Sequence, residues 1–228
     1  VTRELISVMQ DHTSRIVPHL HLCLQSGSDS VLRRMRRRWG TRMFLDRCQM
    51  LKESLDKPAI TTDVIAGFPG ETEEEFEQTL TTCQQAGFSK IHAFPFSPRR
   101  GTPAADMPDQ IPKQVRSERV KRLTVLEKEL RKEYYQQLIG CELELLVESS
   151  RDLVGIDKRG MLVGDPCENM AGSPTDRLLR GTTCRYAPGE LMVPTSAEPS
   201  THSLNVGDLL PVRITDALDE KLIVSLPG

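Results

Sequence analysis

Thr61-Thr62-Asp63-Val64-Ile65-Ala66-Gly67-Phe68-Pro69-Gly70-Glu71-Thr72-Glu73-Glu74-Glu75-Phe76 is the stretch that decides the fold. It continues a largely apolar run from Ala59 to Ala66, which predicts a strand. Gly67 to Glu71 follows as a tight loop whose two glycines permit positive φ or close backbone approach. Thr72 with Glu75 three residues on is a capping box, and three acids in the first turn suit the helix dipole. Phe76, Leu80 and Cys83 fall at i, i+4 and i+7, and Gly87 ends the helix.

The same grammar extends on both sides. Leu5, Ile6 and Met9 suit one face of an opening helix. Ile16 to Leu24 predicts a strand, with Leu20, Leu22 and Leu24 alternating against His19, His21 and Cys23. Gln25 to Asp29 is a polar turn, and Ser28 or Asp29 can cap the helix that begins Val31-Leu32. Gly40 interrupts that helix, and Thr41 starts another running to about Leu55. Lys90 to Phe96 predicts a third strand. Strand, helix, strand, helix, strand is the rhythm of a parallel sheet or an α/β barrel. A complete eightfold barrel takes about 250 residues; with three strands visible, the sheet is expected to be incomplete.

Ser97 to Pro112 is a Pro-rich loop. Lys113 to about Leu138 predicts a long charged helix with an apolar stripe of Val115, Leu123, Leu126 and Leu130. Beyond residue 140 the helical signal is lost. Short strand candidates, 142–147, 161–163, 190–193, 209–214 and 221–226, are separated by Gly, Pro and Asp, which predicts a small β-barrel. The expected domains are residues 1–140 and 141–228.

Composition narrows the function classes. The 228 residues carry a formal charge of −2, with 38% hydrophobic and 27% charged residues, as in a soluble globular protein. A global basic field for nucleic acid is excluded, so any such site is a local patch. Residues 1–140 hold 22 Lys+Arg against 18 Asp+Glu, and residues 141–228 hold 8 against 14. No apolar run approaches the ~20 residues needed to span a bilayer, no membrane partner is expected, and the lack of a signal peptide makes a cytoplasmic location the expectation. The first residue is Val1, which suggests a fragment or a processed piece. Cys23, Cys48, Cys83, Cys141, Cys167 and Cys184 match no CxxC or CxxxCxxC spacing, so no sequence-local metal or iron–sulfur site is expected.

In parallel α/β folds, ligands sit where strands hand over to loops. Three polar turns take that position: Gln25 to Asp29, Asp63 to Thr72, and Ser97 to Pro103. Asp63 lies inside an apolar strand, where a buried carboxylate needs a partner or a ligand; bonding to a neighbouring strand or helix end is the structural alternative. The loop Gly67-Phe68-Pro69-Gly70-Glu71 leads into a helix N-terminus suited to polar or anionic groups, or is simply a tight connection. His19 and His21 can share one side of a strand, with no further ligands evident for a metal. The run Arg33, Arg34, Arg36, Arg37 and Arg38 is either a solvated helix face or a phosphate-contacting patch. Trp39 packs or stacks on a base.

The segments HLHLCLQSGSD (19–29), VLRRMRRR (31–38), TTDVIAGFPGETEEEF (61–76) and FSKIHAFPFSPRRGTPAADMPDQIP (88–112) resemble the methylthiotransferases of the radical S-adenosylmethionine superfamily. The last segment is most similar to the branch acting on threonylcarbamoyladenosine in tRNA. Residues 141–228 stand where that family carries its TRAM domain, an OB-like RNA-binding β-barrel. The resemblance implies an α/β fold made of a partial radical SAM (β/α) barrel followed by that small barrel. It also implies methylthiolation of the adenosine at C2, with tRNA as partner and S-adenosylmethionine and two 4Fe-4S clusters as cofactors. Carried over by position, Gln25 and Ser26 lie near the ribose and methionine portions. Asp63 and the loop of Gly67, Phe68, Pro69, Gly70 and Glu71 line the adenine and sugar side, and Arg99 belongs to the last loop. Arg33, Arg34, Arg37, Arg38 and Arg99 are the expected RNA contacts. The cluster cysteines are expected in a missing N-terminal half, which makes this chain inactive alone. Arg100 stands where the family has Pro, and Trp39-Gly40 where it tends to have Tyr-Thr. The alternatives are a non-catalytic RNA- or S-adenosylmethionine-binding fragment, a methylthiotransferase for another tRNA base or a ribosomal protein, and an unrelated barrel enzyme using Asp63 and Glu71 as acid and base.

Overall fold

The computed structural model describes residues 1–153, 176–194 and 204–227. The chain folds as two units, Val1–Gln137 and Leu138–Gly228. The first contains α1 (Arg3–Asp11), β1 (His19–His21), α2 (Asp29–Arg34), α3 (Thr41–Ser54), β2 (Ala59–Ala66), α4 (Glu73–Ala86) and β3 (Lys90–Pro95), and α5 (Lys113–Leu138) runs to its end. The three strands form a parallel sheet in the order β1-β2-β3, with Thr61 opposite His21 on one side and Lys90 on the other, and Asp63 opposite His92.

β1 is shorter than the sequence suggests. Pro18 has no N–H to donate, and Ile16 N–H turns back to His12 O, so the ladder starts at His19. α2 also ends early, before Gly40. Arg36 takes a left-handed conformation (φ 58°), Arg36 N–H donates to Arg33 O, and Arg37 N–H donates to Leu32 O. That is a Schellman-type stop with arginine where glycine is usual. At α4 the capping box is complete, Thr72 and Glu75 each satisfying the other's backbone N–H, and Gly87 closes the helix at φ 57°. Ser28 precedes α2 without a side-chain cap; Asp29 Oδ1 instead accepts from Thr41 N–H at the start of α3.

Successive β2 residues point to opposite faces. Ile60, Val64 and Ala66 join the core with Phe44, Cys48 and Leu51 of α3 and Phe76 and Cys83 of α4. Leu123, Leu126 and Leu130 of α5 complete it, while Val115 stays exposed, beyond the packed part of the stripe. Thr61, Asp63 and Ile65 take the opposite face.

The second unit is a closed barrel of β4 (Glu142–Leu153), β5 (Asp176–Thr183), β6 (Pro188–Val193), β7 (Leu209–Ala217) and β8 (Leu222–Ser225), in the order β4-β5-β6-β8-β7. All pairs are antiparallel except β6 with β8. Leu145, Leu179, Leu191, Val212, Ile214 and Leu222 are buried. β5 was not legible in sequence, because Asp176, Arg177, Arg180 and Gly181 mask its alternation; the expected strand 161–163 lies outside the described residues. Among the described residues no helix is long and apolar enough to cross a membrane.

Candidate functional site

The carboxyl ends of the strands carry loops fixed from below. Gln25 continues the ladder past β1: its N–H donates to Asp63 O (2.9 Å) and its carbonyl accepts from Ile65 N–H (2.8 Å), at φ 68°. Its side chain accepts from Arg37 Nη2 at 3.1 Å, and the same guanidinium lies 5.4 Å from the Trp39 ring centre. Ser26 is fully buried, with Oγ 3.2 Å from Thr79 Oγ1, which also accepts from Gly27 N–H at 3.0 Å. A Cβ on Gly27 would stand 2.6 Å from Thr79 Cα, so only glycine lets this loop lie flat on α4.

The second loop is clamped by charge. Gly67 N–H donates to Glu71 Oε2 at 2.6 Å, and Arg119 Nη1 donates to the same oxygen at 2.6 Å. Arg119 also reaches Glu71 O (3.1 Å) and Glu73 Oε2 (3.0 Å). The Glu71 side chain is 1% exposed. Burial pushes its carboxyl above the ordinary range, against the opposite pull of Gly67 N–H and Arg119. At Gly67 (φ 75°) a Cβ would drive into the Arg116 side chain. Phe68 and Phe96 meet edge-on at 5.2 Å and form a small apolar cluster with Val31 beneath the loops.

A third set joins α2 to α4. Arg34 donates to Glu75 Oε1 (3.0 Å) and Oε2 (2.6 Å) and to Gly70 O (3.2 Å), and Ser30 Oγ donates to Glu75 Oε1. These bonds hold the Glu75 carboxyl down at about 2.

The sheet face away from the core is polar and open. His19 Nε2 and His21 Nδ1 both meet Thr61 Oγ1, at 3.1 and 3.0 Å, so the two histidines share one side of β1. His21 Nε2 stands 3.4 Å from Asp63 Oδ2, and Cys23 Sγ lies 3.9 Å from the same oxygen. The His21 and His92 rings are 6.0 Å apart. Burial and the Asp63 charge raise the Cys23 thiol, and burial lowers His19. The expectation of a buried Asp63 is corrected: its side chain is 33% exposed, because residue 63 falls in the register that turns away from the core.

Residues 1–83 match the Radical SAM superfamily family model. The threonylcarbamoyladenosine tRNA methylthiotransferase MtaB of Bacillus subtilis (strain 168) is 50% identical over 130 residues, 57% of this chain and 29% of that protein. The tRNA-2-methylthio-N(6)-dimethylallyladenosine synthase 1 of Mycobacterium marinum is 40% identical over 228 residues, 99% of this chain and 38% of that protein. The synthase of Nocardia farcinica is also 40% identical over 228 residues, 99% of this chain and 40% of that protein. The chain is thus similar to radical SAM methylthiotransferases. It spans less than half the length of the curated relatives it matches.

Radical SAM chemistry uses S-adenosylmethionine with a 4Fe-4S cluster, and the two groups fit these residues differently. A cluster needs several thiolates. Among the described cysteines only Cys23 reaches the open face. Cys48 and Cys83 lie in the core, pushed up to about 11 and about 12 by burial, and Cys141 and Cys184 belong to the other unit. The described residues therefore do not make a cluster site. S-adenosylmethionine fits better, since the open face offers the Asp63 carboxylate to hydroxyl or ammonium donors, with half-buried Ile65 and exposed Phe94 beside it as apolar surface.

The sequence-predicted residues thus divide. Asp63 faces outward, Gln25 and Gly67 to Pro69 are buried at the strand ends with Gly70 half-buried beside them, and Ser26 and Glu71 sit inside the scaffold. Arg33, Arg37, Arg38 and Arg99 are exposed, whereas Arg34 is half-buried against Glu75. Sequence reading missed Thr79 and Arg119, which anchor the loops from α4 and α5. It weighed His19 and His21 for a metal without finding a further ligand and noted Cys23 only as an alternating residue; a parallel register against Thr61-x-Asp63 was the signal that joins His21 and Cys23.

Proposed function

We propose that this chain is part of a tRNA methylthiotransferase that modifies C2 of threonylcarbamoyladenosine. The carrying observation is the 50% identity over 130 residues to an enzyme of that name. In this reading Asp63, Gln25 and the loop Gly67–Gly70 hold S-adenosylmethionine. When bound, one molecule of that cofactor would supply a deoxyadenosyl group for hydrogen abstraction, and a second would supply the methyl group. Asp63 accepts hydrogen bonds from its hydroxyl or ammonium groups. Ser26, through Thr79, and Glu71, through Arg119, fix the loop backbones so that little reorganisation is left for binding. The cluster ligands come from polypeptide outside the described residues, and the chain alone is inactive.

The barrel is read as an OB-like TRAM domain, supported by its five-strand closure and the one parallel pair, β6 with β8. Its region carries 8 basic against 14 acidic residues, so tRNA phosphates fall to exposed Arg33, Arg37, Arg38 and Arg99.

The test is expression in cells lacking their own methylthiotransferases, alone and with the cluster-bearing portion of the B. subtilis relative, followed by mass spectrometry of tRNA nucleosides. Methylthiolated threonylcarbamoyladenosine only in the paired expression is the expected result. No methylthiolated nucleoside in either arm overturns the reading. The 40% identity along 99% of the chain to the Mycobacterium marinum synthase favours a second reading, a dimethylallyladenosine substrate; the same spectra would show that product instead.

A further inference from the structure

We infer that His21, Cys23 and Asp63 form a binding site for a divalent transition ion of the zinc class, separate from any iron–sulfur cluster. The ligand atoms His21 Nε2, Cys23 Sγ and one Asp63 carboxylate oxygen all lie within 4.8 Å of one another. Nε2 and Oδ2 are 3.4 Å apart. Two ligands of a tetrahedral zinc, each at about 2.0–2.2 Å from the ion, stand about 3.4 Å apart. Sγ lies 3.9 Å from Oδ2 and needs a longer bond, as a thiolate does. One nitrogen, one sulfur and one carboxylate oxygen make a set of intermediate softness that suits zinc better than magnesium or calcium.

The ring orientation supports the site independently. Thr61 Oγ1 lies 3.0 Å from His21 Nδ1, on the side of the ring away from Asp63. With Nδ1 held by the hydroxyl, Nε2 is the ring nitrogen turned toward Asp63 and Cys23. Metal-ligating histidines characteristically have their second ring nitrogen held by an outer-shell partner, and the Thr61 hydroxyl takes that place here. Thr61 is 1% exposed and fixed in β2, so the ring is held rather than free to turn. The His21 and Asp63 side chains are 37% and 33% exposed, so the site has a solvent side from which water or a small ligand could complete the coordination. Three protein ligands and an open place are the pattern of reactive rather than purely structural zinc.

The inference does not rest on the proposed methylthiotransferase reading, although both use Asp63. It is tested on the full chain after chelator treatment, by competition of Zn²⁺ against a chromophoric chelator and by Co²⁺ absorption. One equivalent of ion and a thiolate-to-cobalt charge-transfer band are expected. Cys23→Ser should abolish that band with the thermal melt unchanged, whereas Cys184→Ser should keep it. Thr61→Val should weaken Zn²⁺ binding about tenfold through the lost support of His21. No uptake in competition with the chelator, the sign of a His21–Asp63 ion pair only, overturns the inference. So does a cobalt–thiolate band that survives Cys23→Ser.

Discussion

Arg34 grips Glu75 with both terminal nitrogens, Nη1 to Oε1 at 3.0 Å and Nη2 to Oε2 at 2.6 Å. The pair ties the short helix after β1 to the capping box of α4, because Glu75 Oε2 also accepts from Thr72 N–H at 3.0 Å. One carboxylate therefore fixes two of the three loops at the strand ends. An arginine that sequence context assigns to phosphate is spent on architecture.

Glu75 makes stability depend on acid. Its folded value of about 2 lies below the ordinary 4.5, so its contribution is fully present above pH 4.5 and is lost as pH falls toward 2. Glu75→Gln should cost about 1–3 kcal/mol at pH 7. In urea denaturation the gap between Glu75→Gln and the parent should close across that acid window. A gap that stays constant from pH 7 to pH 3 would contradict the assignment.

Glu71 titrates in the opposite sense. Burial raises its folded value, so protonated Glu71 favours the fold below the ordinary carboxylate range, and that contribution is lost as pH rises through the folded value. Carbon-13 labelling of the glutamates should show one carboxyl titrating above 4.5 and missing from Glu71→Gln. Arg119→Ala, which strands a buried carboxylate, should cost about 3–5 kcal/mol in thermal or urea unfolding.

Gly27→Ala probes how closely the first loop packs on α4. The added methyl meets Thr79 Cα, a backbone atom that cannot swing aside. A loss of about 1–3 kcal/mol is expected from overpacking, with amide shifts concentrated at Gln25–Ser28 and Thr79–Thr82. Unchanged stability and shifts would mean that the loop lies farther from the helix.

The arginines should separate by role in tRNA binding. Arg33→Gln and Arg38→Gln should weaken binding, and each should lower the slope of log affinity against log salt by roughly 0.7–0.9 for every phosphate it leaves unneutralised. Neither should move the melting temperature, since both side chains are exposed. Arg34→Gln should lower the melting temperature instead, because its bonds to Glu75 and Gly70 go with it. Equal salt slopes for Arg33→Gln and the parent would remove Arg33 from the RNA-binding surface.

Local chemistry was legible and long-range pairing was not. The strand Ala59–Ala66, the Thr72–Glu75 box and the Gly87 stop follow from neighbours within a few residues, and the structure has all three. The start of β1 was overread because Pro18 has no N–H for the ladder and Ile16 N–H turns back to His12 O, a pairing that the alternation of residues 16–24 does not encode. The early stop of α2 was missed because arginine is an unusual residue at a left-handed helix end. β5 was missed because its exposed side carries charge and its interior side includes Gly181.

The amino-acid order by itself determined the βαβ grammar, the change of pattern near residue 140 and the motifs that make the chain similar to radical SAM methylthiotransferases, since each depends on short spacings or on resemblance along the chain. Only the tertiary structure decided that Asp63 faces outward, that Arg34 and Glu71 are scaffold, and that His21 and Cys23 converge on Asp63. These depend on strand register, and register is a balance of packing between segments about 40 residues apart. A one-residue slip reverses every side chain across the sheet.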